Sequence, residues 1–279
     1  MLSIKRIKDS PSARNTGIIN SSGKWIVCID SDDFVHRDFL RLLYLAAKEH
    51  DTDVSFCDFQ VVTIDEISKT PGFYTEKSSV LSQKEIMFKF LKREVKIVVP
   101  AMLIKRELID KKGIFFNENA LFSEDSHFIW RILLSVERVT YNKSALYNYL
   151  RRPKSIMTSS NAERIMTGYR EIINLVSSDS IWNGYGEVRK FVIPRWVLGV
   201  LRASSKYMNI EDFKQLAISL NYKENMKALF EFPELKAKAL AYLMYFSPKL
   251  FYKINSFFHS SVFPFCKLRV CDICCPVFI

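Results

Sequence analysis

Three carboxylates lie within four residues at Asp30-Ser31-Asp32-Asp33, directly after the apolar run from Lys24 to Ile29. An apolar, β-branched run of this length predicts a buried strand, here over residues 24–30. Carboxylates grouped so closely are costly to bury unless a cation compensates them. Their oxygens suit Mg²⁺ or Mn²⁺, which readily share their coordination shell with phosphate oxygens. The pattern therefore predicts a metal site that presents a diphosphate at the end of a strand. The alternative is a solvated acidic turn that caps a helix beginning near Val35.

A short helix is predicted just upstream, between Ser10 and Gly23. Pro11 is compatible with the first helical turn, Ser10 or Ser12 can serve as the N-cap, and Gly23 marks the end of the helix. The helix carries the motif Ala13-Arg14-Asn15-Thr16-Gly17. This motif, followed by a glycine and by a strand that ends in Asp-Ser-Asp-Asp, resembles the family 2 glycosyltransferases of the GT-A fold.

A second block of sequence resembles the same family. Glu124 and Asp125 open a predicted helix, as the Glu-Asp motif does beside the acceptor site of these enzymes. The stretch from Leu146 to Ser155 is similar to the family's Leu-Tyr-x-Tyr-x-x-Arg-x-x-Ser segment. The resemblance covers residues 4–158.

The resemblance implies an α/β protein whose residues 1–160 form a partial GT-A domain, a Rossmann-like mixed sheet flanked by helices. It also implies that the chain begins near the third strand and lacks the first nucleotide-binding strands, roughly 60 to 90 residues by the size of βαβ units. Residues 161–279 are predicted to form a helical, aromatic-rich C-terminal region, because Ile165, Tyr169 and Ile172 recur at helical spacing.

Hydrophobic periodicity and turn residues predict the remaining elements. They are helices over 38–50, 82–92, 107–111, 191–207 and 210–220, strands over 54–63 and 139–141, a return to the sheet over 95–104, and a loop or hairpin over 64–79. Ser82 is predicted as an N-cap, with Glu85 completing a capping box, and Gly113 is predicted to end the helix before it.

The resemblance further implies roles for the acidic residues. Asp32 would ligate Mg²⁺ or Mn²⁺, and Asp30 would assist through the ion's waters or the donor ribose. Asp33 would orient these ligands or cap the next helix. Asp125 would be the general base that deprotonates the acceptor hydroxyl, although an acid at this position also stabilises a helix N-terminus. A base opposite the leaving group implies direct displacement with inversion at the anomeric carbon.

Each of the neighbouring charged residues has two interpretations. Arg14 would bind a donor phosphate or form an internal ion pair with Asp30. Arg151 and Arg152 would face the diphosphate or lie solvated at the surface. Glu124 would support the loop or contact the acceptor.

Other conspicuous side chains are predicted to be structural. His127 is expected on a helix surface, and Trp25 and Trp130 are expected in the core rather than as sugar-stacking platforms. Cys28 and Cys57 are expected to be core thiols. The cluster of Cys266, Cys271, Cys274 and Cys275 has zinc-like x2 spacing in one pair only, so reduced thiols are favoured over a zinc site.

Composition limits the classes of partner. The chain has 279 residues, 48% of them hydrophobic and 25% charged, which is enough for one large domain or a domain with an appendage. The net charge of +11 fits nucleic acid, an anionic membrane or phosphorylated substrates. No nucleic-acid-binding motif is found, so nucleic acid is not predicted as a partner. No signal peptide or spanning helix is predicted either.

The C-terminal stretch from Leu240 to Phe258 mixes bulky aromatics with Lys249 and Lys253. This composition predicts peripheral contact with a membrane surface, and the alternative is a helical cap packed on the catalytic domain.

Together with these patterns, the resemblance implies an inverting glycosyltransferase of EC class 2.4. It would move a sugar from a nucleotide-sugar donor to a glycan or lipid-linked acceptor during cell-surface polysaccharide synthesis. It would be cytoplasmic, with a peripheral position on the inner face of the cell membrane. The alternatives are a catalytically inactive remnant of such an enzyme and a basic membrane-surface binding protein.

Overall fold

The structure is a computed structural model that describes residues 10–63, 75, 77–120, 123–151, 162–177, 182 and 184–260. The chain divides into two compact units. The first comprises residues 1–90, 94–118 and 124–155, and the second comprises residues 91–93, 119–123 and 156–279. The first unit contains a mixed sheet with helices, and the described part of the second is helical.

The first unit alternates helices and strands. Its elements are α1 (Ser10–Asn20), β1 (Trp25–Ile26), β2 (Phe34–Val35), α2 (Phe39–Glu49), β3 (Val54–Val62), β4 (Ser78–Ser82), α3 (Gln83–Leu91), β5 (Met102–Lys105), α4 (Arg106–Lys112), α5 (Glu124–Leu133) and β6 (Arg138–Leu150). A 3-10 turn over Val99–Ala101 precedes β5.

The sheet is mixed, as predicted. Its strand order is β1-β5-β3-β6-β2, with β4 also paired to β6. The pair β3 and β6 is parallel, and the other pairs are antiparallel. Strand β6 is long enough to bond β4 through its first half and β2 through its second. The register against β3 shifts at Asp58, so β6 bends between those two partners.

Helix α2 packs on one face of this sheet. It buries Phe39, Leu42 and Leu43 in a core cluster that also includes Cys57 and Tyr147. Successive strand residues point to opposite faces. Accordingly Phe56, next to Cys57, stacks on Tyr141 at the other face with ring centroids 5.0 Å apart.

Most predicted elements are present, with four corrections. The predicted strand over 24–30 is only Trp25–Ile26, which pair with Lys105 and Ile104 of β5. The predicted return to the sheet over 95–104 is mostly irregular, because a 3-10 turn that contains Pro100 precedes β5 and the strand begins only at Met102. No helix begins near Val35, where β2 lies instead. Residues 78 and 79 belong to β4, and most of the predicted 64–79 loop lies outside the described residues.

Local signals at helix ends are confirmed in two places. The backbone N–H of Glu85 donates to the Ser82 hydroxyl at 3.4 Å, as expected of an N-cap. Gly113 ends α4 with φ +58°, a left-handed conformation that favours glycine.

The second unit is built around one buried helix. Its helices are α6 (Ala162–Ser177), α7 (Gly186–Ser204), α8 (Ile210–Ser219), α9 (Tyr222–Ala228), α10 (Leu235–Phe246) and α11 (Pro248–Ser260). Helix α7 is buried around most of its circumference and contacts α6, α8, α9 and α10. Such a helix belongs at the centre of a bundle. Among the described helices, none combines the length and apolarity needed to cross a bilayer.

We predict that Gly168→Ala destabilises the second unit. A β-carbon at Gly168 would lie 2.9 Å from the β-carbon of Ser123, closer than real side chains approach. The overpacking should lower the free energy of unfolding by about 1–3 kcal/mol, measured by chemical denaturation. The matched control is Gly186→Ala, where nothing lies within 4 Å of the new methyl group. Equal stability of the two variants would contradict the tight contact.

Candidate active site

The candidate site lies entirely in the first unit, where three segments meet. Helix α1 supplies Arg14, the turn after β1 supplies Asp30 to Asp33, and the first turn of α5 supplies Glu124 and Asp125. The two acidic motifs, about 90 residues apart in sequence, are joined through Arg14.

Asn15 holds α1 in place. Pro11, Asn15 and Ile18 follow each other at helical spacing and form the buried face of α1. The Asn15 amide donates to the Phe116 carbonyl at 3.0 Å and accepts from the Phe116 N–H at 2.8 Å. It also donates to the Glu118 carboxylate at 3.0 Å. This two-way backbone bond sets the rotation of α1 and therefore the direction of the neighbouring Arg14.

Arg14 bridges two carboxylates. Its guanidinium donates to Asp30 Oδ1 at 2.9 Å and to Asp125 Oδ1 at 2.5 Å. The side chain is only 12% exposed, and its guanidinium carbon lies 5.2 Å from the centre of the Phe116 ring. The predicted ion pair with Asp30 is thus confirmed. The pair with Asp125 was not expected from sequence.

The environment of Asp125 has opposing effects on its titration. Burial raises the pKa of Asp125 above its usual value, and the nearby Asp30 adds to this. The Arg14 guanidinium opposes both by favouring the ionised carboxylate. A carboxylate whose pKa is raised toward neutrality is a better proton acceptor than an ordinary surface aspartate.

Asp33 fastens the acidic turn to the sheet. Its carboxylate accepts from the Tyr147 hydroxyl and, at 2.8 Å, from the Leu150 backbone N–H. The Asp33 N–H in turn donates to the Asp30 carbonyl at 3.2 Å, which closes the turn. The proposal that Asp33 caps the next helix is wrong, because α2 begins only at Phe39.

The turn leaves Asp32 at its exposed tip. Within the described part of the chain, no group of three or more His, Cys, Asp or Glu side chains is arranged to hold a metal ion. Mg²⁺ does not need such a cage, since it is often bound by one or two carboxylates together with substrate phosphates and water. An exposed Asp32 and a half-buried Asp30 fit an ion held in that way.

The remaining predicted residues lie around this centre or outside the described chain. Glu124 begins α5 and is close enough to Arg14 to favour its charge. Arg151 is exposed at the end of β6, and its backbone N–H donates to Val62. Arg152 lies outside the described residues, as do the four C-terminal cysteines.

The core positions predicted for Trp130 and Cys57 are confirmed, because both side chains are fully buried. Trp25 and Cys28 were also expected in the core but are only partly buried. His127 was expected at a surface but is 8% exposed. Burial, with a contribution from Arg131, lowers its pKa to about 4.

Sequence reasoning missed three residues that shape the site. They are Asn15, Phe116 and Tyr147. Asn15 and Tyr147 do lie inside the motifs that carried the resemblance, so motif membership was the available signal. Phe116 had no signal, because its contact with Arg14 spans about 100 residues of sequence.

The sequence and the fold both match known proteins. Residues 8–113 match the model described as "Glycosyl transferase family 2". Over this segment the chain is similar to that family. The segment contains α1 with Arg14 and the whole turn from Asp30 to Asp33.

Two curated proteins illustrate the relationship. The chain is 32% identical over 149 residues to the uncharacterized glycosyltransferase EpsJ of Bacillus subtilis, covering 52% of this chain and 43% of that protein. It is 25% identical over 169 residues to the succinoglycan biosynthesis protein ExoO of Rhizobium meliloti, covering 56% of this chain and 46% of ExoO. The chain therefore matches less than half the length of either relative.

The fold is similar to that of residues 1–349 of S. aureus TarS, solved in complex with UDP-GlcNAc. The TM-score is 0.51 at 16% identity, covering 88% of this chain and 70% of the other. The likeness confirms the predicted GT-A fold, a mixed sheet with flanking helices and a helical C-terminal region.

We predict that Arg14→Met lowers the free energy of unfolding by about 2 kcal/mol at pH 7, because it leaves two partly buried carboxylates without their cation. The loss should shrink as the pH falls, since a protonated carboxyl needs no counter-ion. Urea denaturation between pH 4 and pH 8 would measure both effects. Arg37→Met is the control, because the Arg37 side chain is 90% exposed. A pH-independent loss would show that packing, and not charge, explains the result.

Proposed function

We propose that the protein is an inverting glycosyltransferase that moves a sugar from a nucleotide-diphosphate donor to a glycan or lipid-linked acceptor. The observation that carries this proposal is the double ion pair of Arg14 with Asp30 and Asp125. Through this pair, the acidic turn that is assigned to the donor lies next to Asp125, the carboxylate that is assigned to the acceptor. Displacement of a leaving group by an incoming hydroxyl needs these two functions close together.

Donor binding is assigned to Asp32 and Asp30. These two side chains would hold Mg²⁺ or Mn²⁺ together with phosphate oxygens of the donor. When bound, the ion would offset negative charge on the departing diphosphate. A nucleotide-sugar donor is supported by the structural likeness to TarS, which was solved with UDP-GlcNAc.

Proton removal is assigned to Asp125. Its Oδ1 is already bonded to Arg14, so the proton of the acceptor hydroxyl would pass to Oδ2. Burial raises the pKa of Asp125 and makes its carboxylate more basic, while the Arg14 guanidinium favours the ionised form. A single base of this kind supports direct displacement with inversion.

The neighbouring side chains have supporting assignments. Glu124 would support the loop or contact the acceptor, beside the base on the first turn of α5. Arg151 would face the diphosphate from the end of β6, with Arg152 next to it in sequence.

The biological setting follows from the relatives and the acceptor class. The name of ExoO as a succinoglycan biosynthesis protein supports a role in polysaccharide synthesis. We place the reaction in the cytoplasm at the inner face of the cell membrane, because a lipid-linked acceptor would be held there.

A second candidate is a protein of the same fold that does not catalyse transfer. The observation in its favour is the position of β1, which pairs on one side only, with β5, among the described strands. A strand edge left open in this way can accept a further strand from a partner. The two candidates differ in whether this chain binds a nucleotide by itself.

We predict that Asp32→Asn weakens binding of UDP at least about tenfold in the presence of Mn²⁺, because one ligand of the ion loses its charge. Isothermal titration calorimetry with and without Mn²⁺ measures the effect. Asp53→Asn is the control, since it removes a surface aspartate that pairs with Lys105 at 3.0 Å instead. Absence of binding by the unmodified chain would favour the non-catalytic candidate.

We predict that Asp125→Asn reduces the rate of sugar transfer by about 10²- to 10⁴-fold, the usual contribution of a general base. Release of UDP from a panel of UDP-sugars would measure the rate. Affinity for UDP should stay within about twofold, because the base acts on the acceptor side. If donor affinity falls as much as the rate, Asp125 is a structural residue and not a base.

A further inference from the structure

Helix α10 exposes an apolar face. Leu235, Tyr242 and Phe246 are 81%, 42% and 72% exposed. Ala239 is also exposed. Ala239, Tyr242 and Phe246 lie four, seven and eleven residues after Leu235, and this spacing places all four on one side of the helix. A helix at the surface of a water-soluble protein normally carries polar residues there.

This face is not the one that α10 uses for packing. Ala237, Ala241 and Met244 are buried and form the side of α10 that meets the rest of the second unit. Helix α10 therefore has two apolar sides, and only one of them is covered by the described residues. Packing within the unit explains why the buried side is apolar, but it does not explain why the exposed side is apolar.

Helix α11, which packs against α10, also exposes apolar side chains. Leu250 and Phe257 are 47% and 64% exposed, and they lie seven residues apart on α11. Two adjacent helices thus each expose apolar residues. We call Leu235, Tyr242, Phe246, Leu250 and Phe257 the apolar surface.

The aromatic part of this surface is ordered by ring stacking. The rings of Phe230 and Tyr242 are nearly parallel with centroids 3.9 Å apart. Phe246 lies 6.5 Å from Phe230 and 6.3 Å from Tyr242, again nearly parallel. Because these rings pack on one another, the aromatic side chains do not have to change position to present an exposed surface.

The charge within α10 and α11 has one sign. Residues 235–260 contain Lys236, Lys238, Lys249 and Lys253 and no Asp or Glu. The two glutamates just before α10, Glu231 and Glu234, form ion pairs with Lys190 and Arg195. Lysines that flank exposed aromatics complement a layer of anionic phosphate groups above an apolar region. A docking site for an ordinary protein surface would not require that every charge be positive.

We propose that the apolar surface of α10 and α11 docks on an anionic phospholipid bilayer. The aromatic and leucine side chains would enter the headgroup layer while the four lysines contact lipid phosphates. The inference deepens the proposed membrane location and rests on that part of the proposed function, but vesicle binding itself requires no sugar transfer.

The test is sedimentation of the full chain with vesicles. It should bind vesicles of phosphatidylcholine with about one quarter phosphatidylglycerol far better than pure phosphatidylcholine, and added salt should weaken binding. Tyr242→Ser combined with Phe246→Ser should reduce binding at least about tenfold. Lys249→Gln combined with Lys253→Gln should reduce it about twentyfold, and only on anionic vesicles.

The control is Ile218→Ser, which removes a side chain that is 61% exposed on α8, a helix that carries Glu211 and Asp212. It should bind vesicles like the parent. Equal loss in this control, or no binding by the parent, would overturn the proposal. Self-association without lipid that Phe246→Ser abolishes would also overturn it, in favour of a second copy of the chain. Binding of UDP with Mn²⁺ is measured on the same variants. If they bind UDP but not vesicles, the membrane proposal fails and the proposed function does not.

Discussion

The ion pairs of Arg14 are the interaction on which the rest of the site depends. One guanidinium, 12% exposed, forms ion pairs with two carboxylates and so offsets part of the repulsion between them and part of their cost of burial. Asn15 and Phe116 orient Arg14 from one side, and the turn at Asp30 and the start of α5 meet it from the other. The arrangement explains why an arginine and an asparagine are adjacent on α1. The asparagine places the helix, and the arginine joins the two acidic segments.

Sequence patterns were sufficient where the physical cause is local. Helix α2 was predicted almost to the residue, because Phe39, Leu42 and Leu43 repeat at helical spacing. The end of α4 at Gly113 followed from the conformational freedom of glycine. Strand β1 was predicted too long, because the apolar run over 24–30 does not show that only Trp25 and Ile26 pair with a neighbouring strand.

The parts of the site that could not be predicted are contacts between distant segments. Asp33 was expected to orient the neighbouring acidic residues or to cap a helix, but it bonds Tyr147 and Leu150, more than 110 residues away. No partner was predicted for Asp125, but it shares Arg14 with Asp30. His127 was expected at the surface, because helical spacing does not tell which neighbours cover a given face. In each case the type of residue could be interpreted from the sequence, but the residues that contact it could not be identified.

The bonds of Asp33 have a mechanical consequence. Its carboxylate ties the acidic turn to two points on β6, a side chain at Tyr147 and the backbone at Leu150. A displacement of the turn must therefore pull on the last residues of β6 and on Arg151, which follows them. These bonds therefore couple the position of Asp32 to that of residue 151.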